Sequence, residues 1–161
     1  MNYADDLTGL LPLDQLLQLS GLEFMQKMLD GKLPAPPISE TMGYYLHAVA
    51  EGTCEFRGAP TFHITNPMGT VHGGWYGTVI DSSMASAVMT RVQRGSLYTT
   101  LEYKINIIRP IPLDVEISCI STADHVGRST AVAHGEIRGV DDNRLYATGS
   151  TTCIVMNMSK R

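Results

Sequence analysis

The run Asn66-Pro67-Met68-Gly69-Thr70-Val71-His72-Gly73-Gly74 leads into an apolar segment, Gly73 to Thr90, whose one formal charge is Asp81. Residues of these types at this spacing make two chemical tools. Paired glycines at a helix start let the backbone approach a ligand closely. The first N–H groups of a helix have no internal partner and carry the positive end of its dipole. They can donate to a carbonyl oxygen as negative charge develops on it. Asp81 is the second tool. A carboxylate in an apolar helix is costly unless it is paired, hydrogen-bonded or faces a cleft, and burial raises its pKa. Such a group serves as general base or as nucleophile. The structural alternatives are a plain glycine turn and an Asp bonded to neighbouring backbone or Ser hydroxyls.

Spacing adds a constraint. Gly74 and Asp81 are seven positions apart, so they share a helix face but lie roughly 10 Å apart along its axis. One small carbonyl does not easily reach both in a single chain. Two antiparallel helices across a two-fold axis would bring each Asp81 opposite the other chain's Gly73 and Gly74. A homodimer with two equivalent sites is therefore expected.

The elements that must position these groups follow from periodicity. The segment 73–90 is apolar nearly all round, which predicts a helix buried on most sides. Upstream, apolar residues from Leu13 to Leu29 recur at spacings of three and four and predict one amphipathic helix, with Pro12 at its start and Gly31 and Pro34 at its end. Residues 34–37 (Pro-Ala-Pro-Pro) read as a stiff extended connector. Strands are expected at 42–50, 53–56, 61–65, 97–108, 113–119, 129–138 and 145–156. In 97–108, Leu97, Thr99, Leu101, Tyr103, Ile105 and Ile107 alternate with Tyr98, Thr100, Glu102, Lys104 and Asn106. The last four strands, with short turns between them, predict an antiparallel meander. The class is α+β: residues 1–40 form a helical arm and connector, and 41–161 a domain of about five or six curved antiparallel strands wrapped around one long helix.

Composition excludes several roles. The 161 residues suit one domain and leave no room for a separate cofactor module. Twelve Lys+Arg against 16 Asp+Glu give a net charge of −4, with no basic footprint for nucleic acid. Charged residues are 17% of the chain, below the roughly 25% usual for soluble domains, so part of the surface is expected to be covered by another subunit. No run approaches the ~20 apolar residues of a membrane span, and Asp5 and Asp6 stand where a leader peptide would be basic. Cys54, Cys119 and Cys153 lack CxxC spacing and read as free thiols. The five histidines form no HxH or HxxxH pair with a carboxylate, so no metal site is expected. Together these features predict a soluble cytoplasmic protein.

The run His72-Gly73-Gly74 followed by Asp81, with Thr99-Thr100-Leu101-Glu102 leading to Arg109-Pro110, resembles the hot-dog acyl-CoA thioesterases of the PaaI / 4-hydroxybenzoyl-CoA thioesterase type over roughly residues 42–156. The resemblance implies a hot-dog fold and hydrolysis of an acyl- or aroyl-CoA to free acid and CoA. Coenzyme A enters only as part of the substrate, and no cofactor is implied. It implies that the Gly73 N–H polarises the thioester carbonyl, that Asn66 helps to hold the thioester, and that Asp81 of the partner chain attacks it or activates water. Thr99 or Thr100 assists that water. Gly127-Arg128-Ser129 matches the region that contacts the pantetheine arm and nucleotide, with Gly74 and Arg109 as further binding candidates. A threonine used by some relatives one turn beyond the acid is Ala85 here, which leaves that role unfilled or passed to Ser82 or Ser86. His72 either donates to the carbonyl or fixes the loop with its ring. Dimers are expected, with pairing into a tetramer. Two rival classes remain: a non-catalytic acyl-CoA binder, and a hydratase, whose HxPG-like loop this sequence lacks.

Overall fold

The computed structural model describes residues 2–158. Four helices and six strands follow one another: α1 (Leu13–Leu16), α2 (Gly21–Leu29), α3 (Pro37–Met42), β1 (Tyr44–Ala50), β2 (Thr53–Gly58), α4 (Gly73–Met89), β3 (Ser96–Ile107), β4 (Ile117–Val126), β5 (Thr130–Gly139) and β6 (Leu145–Asn157). The strands form one antiparallel sheet in the order β1-β2-β4-β5-β6-β3. α4 lies against five of these strands, with Trp75, Val79, Ile80, Met84, Ala87 and Val88 fully buried on it. The Ser83 hydroxyl donates to the carbonyls of Cys119 (3.0 Å) and Cys54 (3.3 Å), pinning the helix to β2 and β4. Trp75 donates its indole N–H to the Met42 carbonyl at 2.8 Å, and Tyr76 accepts the Ile111 N–H at 2.7 Å. No helix among the described residues is long and apolar enough to cross a membrane.

Five sequence expectations are corrected. The arm helix is broken: Ser20 caps a separate α2, with Glu23 returning a bond to the Ser20 N–H at 2.7 Å. The break lets Gly21 sit against the Met89 carbonyl, where any Cβ would clash, while its N–H donates to Val92 O at 2.9 Å. The connector ends at Pro36, because Pro37 starts α3, a position that suits its fixed φ. Residues 61–65 hold a 3-10 turn at Phe62–Ile64 in place of a strand, and Thr65 alone bridges Val71. The fourth strand begins at Ile117 rather than 113, since Asp114 adopts a positive φ of 62° and donates its N–H to Pro60 O. Finally, the meander covers only β4-β5-β6, and β3 pairs with β6. Pro110 and Pro112 flank Ile111, which is buried against the first turn of α4, so the chain crosses from edge strand β3 to β4 in the interior of the sheet without a tight hairpin.

The alternation expected along β3 is also interrupted. Its register against β6 slips between Thr100 and Glu102, leaving Leu101 as a β-bulge. Such an extra residue reverses which alternate positions face inward. Before the bulge Tyr98 and Thr100 face α4, and after it Tyr103 and Ile107 do.

Candidate active site

The helix start is built by His72. Its backbone is extended (φ −65°, ψ 137°), and its ring Nδ1 accepts the Gly74 N–H at 2.9 Å. The Trp75 N–H donates to the His72 carbonyl. The Gly73 N–H is left without a hydrogen-bond partner among the described residues, at an exposed position. Gly73 and Gly74 therefore differ: the histidine cap takes one donor and frees the other. His72, Gly74, His63 and Met42 line a shallow hollow at this end of the helix. Asn66 folds the preceding loop. Its Oδ1 accepts from Met68 N (2.9 Å) and Thr70 N (3.3 Å), and its Nδ2 donates to Thr70 Oγ1 at 2.8 Å. Met68 stands 82% exposed on that loop.

Two turns further along α4, half-buried Asp81 opens into a separate cavity of about 480 Å³. Its Oδ1 accepts the Thr100 hydroxyl at 3.0 Å, and its Oδ2 has no partner among the described residues. Burial raises the Asp81 pKa above the ordinary carboxylate value, and the Thr100 bond partly opposes this. A carboxylate held this way is a stronger base than an exposed one and keeps an oxygen for water. Thr99 lines the same cavity without bonding Asp81, so of the two threonines the bulge aims Thr100 at the acid. The Ser82 hydroxyl is 2.8 Å from the Tyr44 hydroxyl, and Ala85 and Ser86 continue the cavity wall.

The remaining candidates lie elsewhere. Gly127, Arg128 and Ser129 form the β4–β5 turn, where Gly127 N donates to Thr130 O and Ser129 O accepts from Val155 N. Arg128 shares a depression there with Arg91 and Arg94. Arg109 donates to the Leu145 carbonyl at 2.6 Å, which secures the chain after β3. Burial pushes the pKa of the Cys54 and Cys119 thiols up to about 12, so neither is a nucleophile at neutral pH.

Sequence reasoning missed the arm's contribution. Phe24, Met25 and Met28 of α2 and Leu16 of α1 line the Asp81 cavity with Tyr98 of β3. Their apolar stripe was visible, but a stripe alone does not say what it covers.

Comparison with known proteins agrees with this architecture. The family profile described as "Thioesterase superfamily" matches residues 68–146, which include the glycine pair, Asp81 and Thr100. A conserved protein from Pseudomonas aeruginosa is 30% identical over 74% of this chain and 93% of its own, with a TM-score of 0.68. A phenylacetic acid degradation-related protein from Ralstonia eutropha is 28% identical over 81% and 98%, with a TM-score of 0.73. A hypothetical thioesterase protein from Streptococcus pneumoniae, whose structure contains coenzyme A, shares the fold at 23% identity over 71% and 87%, with a TM-score of 0.65. By fold, helix-start motif and sequence kinship, this chain belongs to the thioesterase superfamily, with its hot-dog architecture.

Proposed function

We propose that the protein hydrolyses the thioester of an acyl-CoA, aliphatic or aromatic, to free acid and CoA, in a site shared by two chains. The observation that carries this reading is Asp81: a half-buried carboxylate in a cavity, one oxygen on Thr100 and the other open. The Gly73 N–H of one chain polarises the thioester carbonyl. Asp81 of the partner subunit takes a proton from water, or attacks the carbonyl itself. Negative charge then gathers on the carbonyl oxygen, where the free N–H and the helix dipole stabilise it. When Asp81 acts as base, the water oxygen bonds to the carbonyl carbon, the C–S bond breaks, and the CoA thiolate leaves and takes up the proton held by Asp81. When Asp81 attacks, the thiolate leaves first, and water then cleaves the mixed anhydride to free acid and restored Asp81.

A shared site is favoured because the helix start and Asp81 open into different hollows of one chain. β3 is an edge strand with apolar Leu101, Tyr103 and Ile107 exposed by 59%, 45% and 48%. An uncovered apolar edge of this kind suits pairing with a second copy. The Arg128 depression offers guanidinium groups for the phosphates of CoA, the compound held by the Streptococcus pneumoniae neighbour. Thiol release from short, long and aromatic acyl-CoAs is the test. The wild-type chain releases thiol from at least one of them, and Asp81→Ala abolishes that release. Binding without release from any of them would overturn the reading in favour of a non-catalytic binder.

A further inference from the structure

The Asp81 cavity has a direction. Asp81, Ala85 and Met89 all line it, at intervals of four along α4. It therefore follows the helix for eight residues, about 12 Å, the reach of an extended acyl chain of about eight to ten carbons. Tyr98 on β3 forms a second wall, and Phe24 and Met28 of α2 form a third. Among the described residues lining it, Asp81 is the only charged one. A chain ending in a second carboxylate would bury that charge among Met and Phe side chains, which is unfavourable.

Resting on the thioesterase reading above, we propose that the N-terminal arm is the fixed wall of the acyl pocket and limits the substrate to uncharged chains of medium length. The arm is fastened where the pocket ends. The Gly21 N–H donates to Val92 O and the Gly95 N–H to Leu17 O, both at 2.9 Å, and Glu23 pairs with Arg94 at 2.6 Å. All three ties join the arm to the loop between α4 and β3, the two elements that carry Asp81 and Thr100. Met25 and Met28 are only 3% and 5% exposed, so the wall is packed into the core and does not swing as a lid. Phe24 stands half-buried at the pocket surface, where its removal lengthens the pocket without emptying the core.

The experiment measures kcat/KM of the full-length chain for straight-chain acyl-CoAs from butanoyl to hexadecanoyl. Wild-type efficiency rises to about the decanoyl ester and falls beyond it. Phe24→Ala raises the hexadecanoyl-to-octanoyl ratio at least about tenfold, the scale of one or two methylenes gained in an apolar pocket. Ala85→Phe, which narrows the opposite wall, moves the optimum to shorter chains and keeps the proposal testable if the arm variant fails to fold. Turnover with a length profile that neither variant shifts would overturn the role of the arm and leave the thioesterase reading standing. No turnover of any ester by the wild type would overturn the thioesterase reading instead, and the arm proposal with it.

Discussion

Gly73→Pro removes an N–H that the helix start leaves unpaired among the described residues, and the local backbone accepts the change. Gly73 is the first residue of α4, the helical position where proline is most at home. The residue before it, His72, already has ψ 137°, inside the extended range that a following proline demands. A Cβ at Gly73 would meet nothing nearer than Ile107 Cδ1 at 3.5 Å, an ordinary contact. The matched control is Gly73→Ala, which adds the same Cβ and keeps the N–H. Loss of one oxyanion donor costs about 2.7–4 kcal/mol, so kcat of the proline variant falls by about 10²–10³ relative to the alanine variant. Both variants unfold within about 3 °C of the parent, the shift that about 1 kcal/mol produces in a chain of this size. The assay is thiol release at saturating acyl-CoA, paired with a thermal melt. Equal kcat for the proline and alanine variants, with both folded, would refute the assignment of this N–H to the carbonyl.

Other expectations follow from the same geometry. Thr100→Val withdraws the bond that partly offsets the upward push of burial on Asp81; the Asp81 pKa rises further, the acid limb of the pH–rate profile moves to higher pH, and kcat falls about tenfold. Asp81→Asn lowers kcat by about 10²–10⁴ and raises the melting temperature at neutral pH. The sign follows from burial: a carboxyl whose pKa is higher in the folded chain than in the unfolded one loses stability as pH rises through its folded value. The advantage of the amide therefore fades below about pH 4, where the carboxyl is protonated in both states; melts that show no pH-dependent difference would contradict the burial argument. Leu101→Lys places a charge on the exposed edge of β3, so sedimentation shows monomers and activity drops at low protein concentration while circular dichroism is unchanged.

The part of the site that lies in one continuous stretch was legible in the sequence. His72-Gly73-Gly74 and Asp81 sit on a single helix, so their relation depends only on helical rise, and the fold places them as that rise requires. The choice between Thr99 and Thr100 was not legible. Periodicity put Thr99 on the apolar face of an unbroken strand, and only the pairing with β6 reveals the bulge that turns Thr100 toward Asp81. The break at Ser20 was half legible. Ser20 with Glu23 is a readable capping box, but the leucine spacing runs straight through it, and what makes the break necessary is the Met89 carbonyl, nearly seventy residues away in the chain. The pairing of β3 with β6 was hidden for a similar reason: the path of residues 108–116 depends on where Ile111 is buried, a tertiary fact.

The extra residue at Leu101 divides β3 into two stretches with separate allegiances. Tyr98 and Thr100 answer to the Asp81 cavity of their own chain, while Tyr103 and Ile107 answer to the helix start and the open edge. On the proposed two-chain thioesterase reading, substitutions in the first stretch retune the pocket around Asp81 without disturbing the edge, and substitutions in the second alter the edge without touching the pocket. On that reading a single strand carries two independently variable traits, the lining of the cavity and the exposed edge, and the bulge is what separates them.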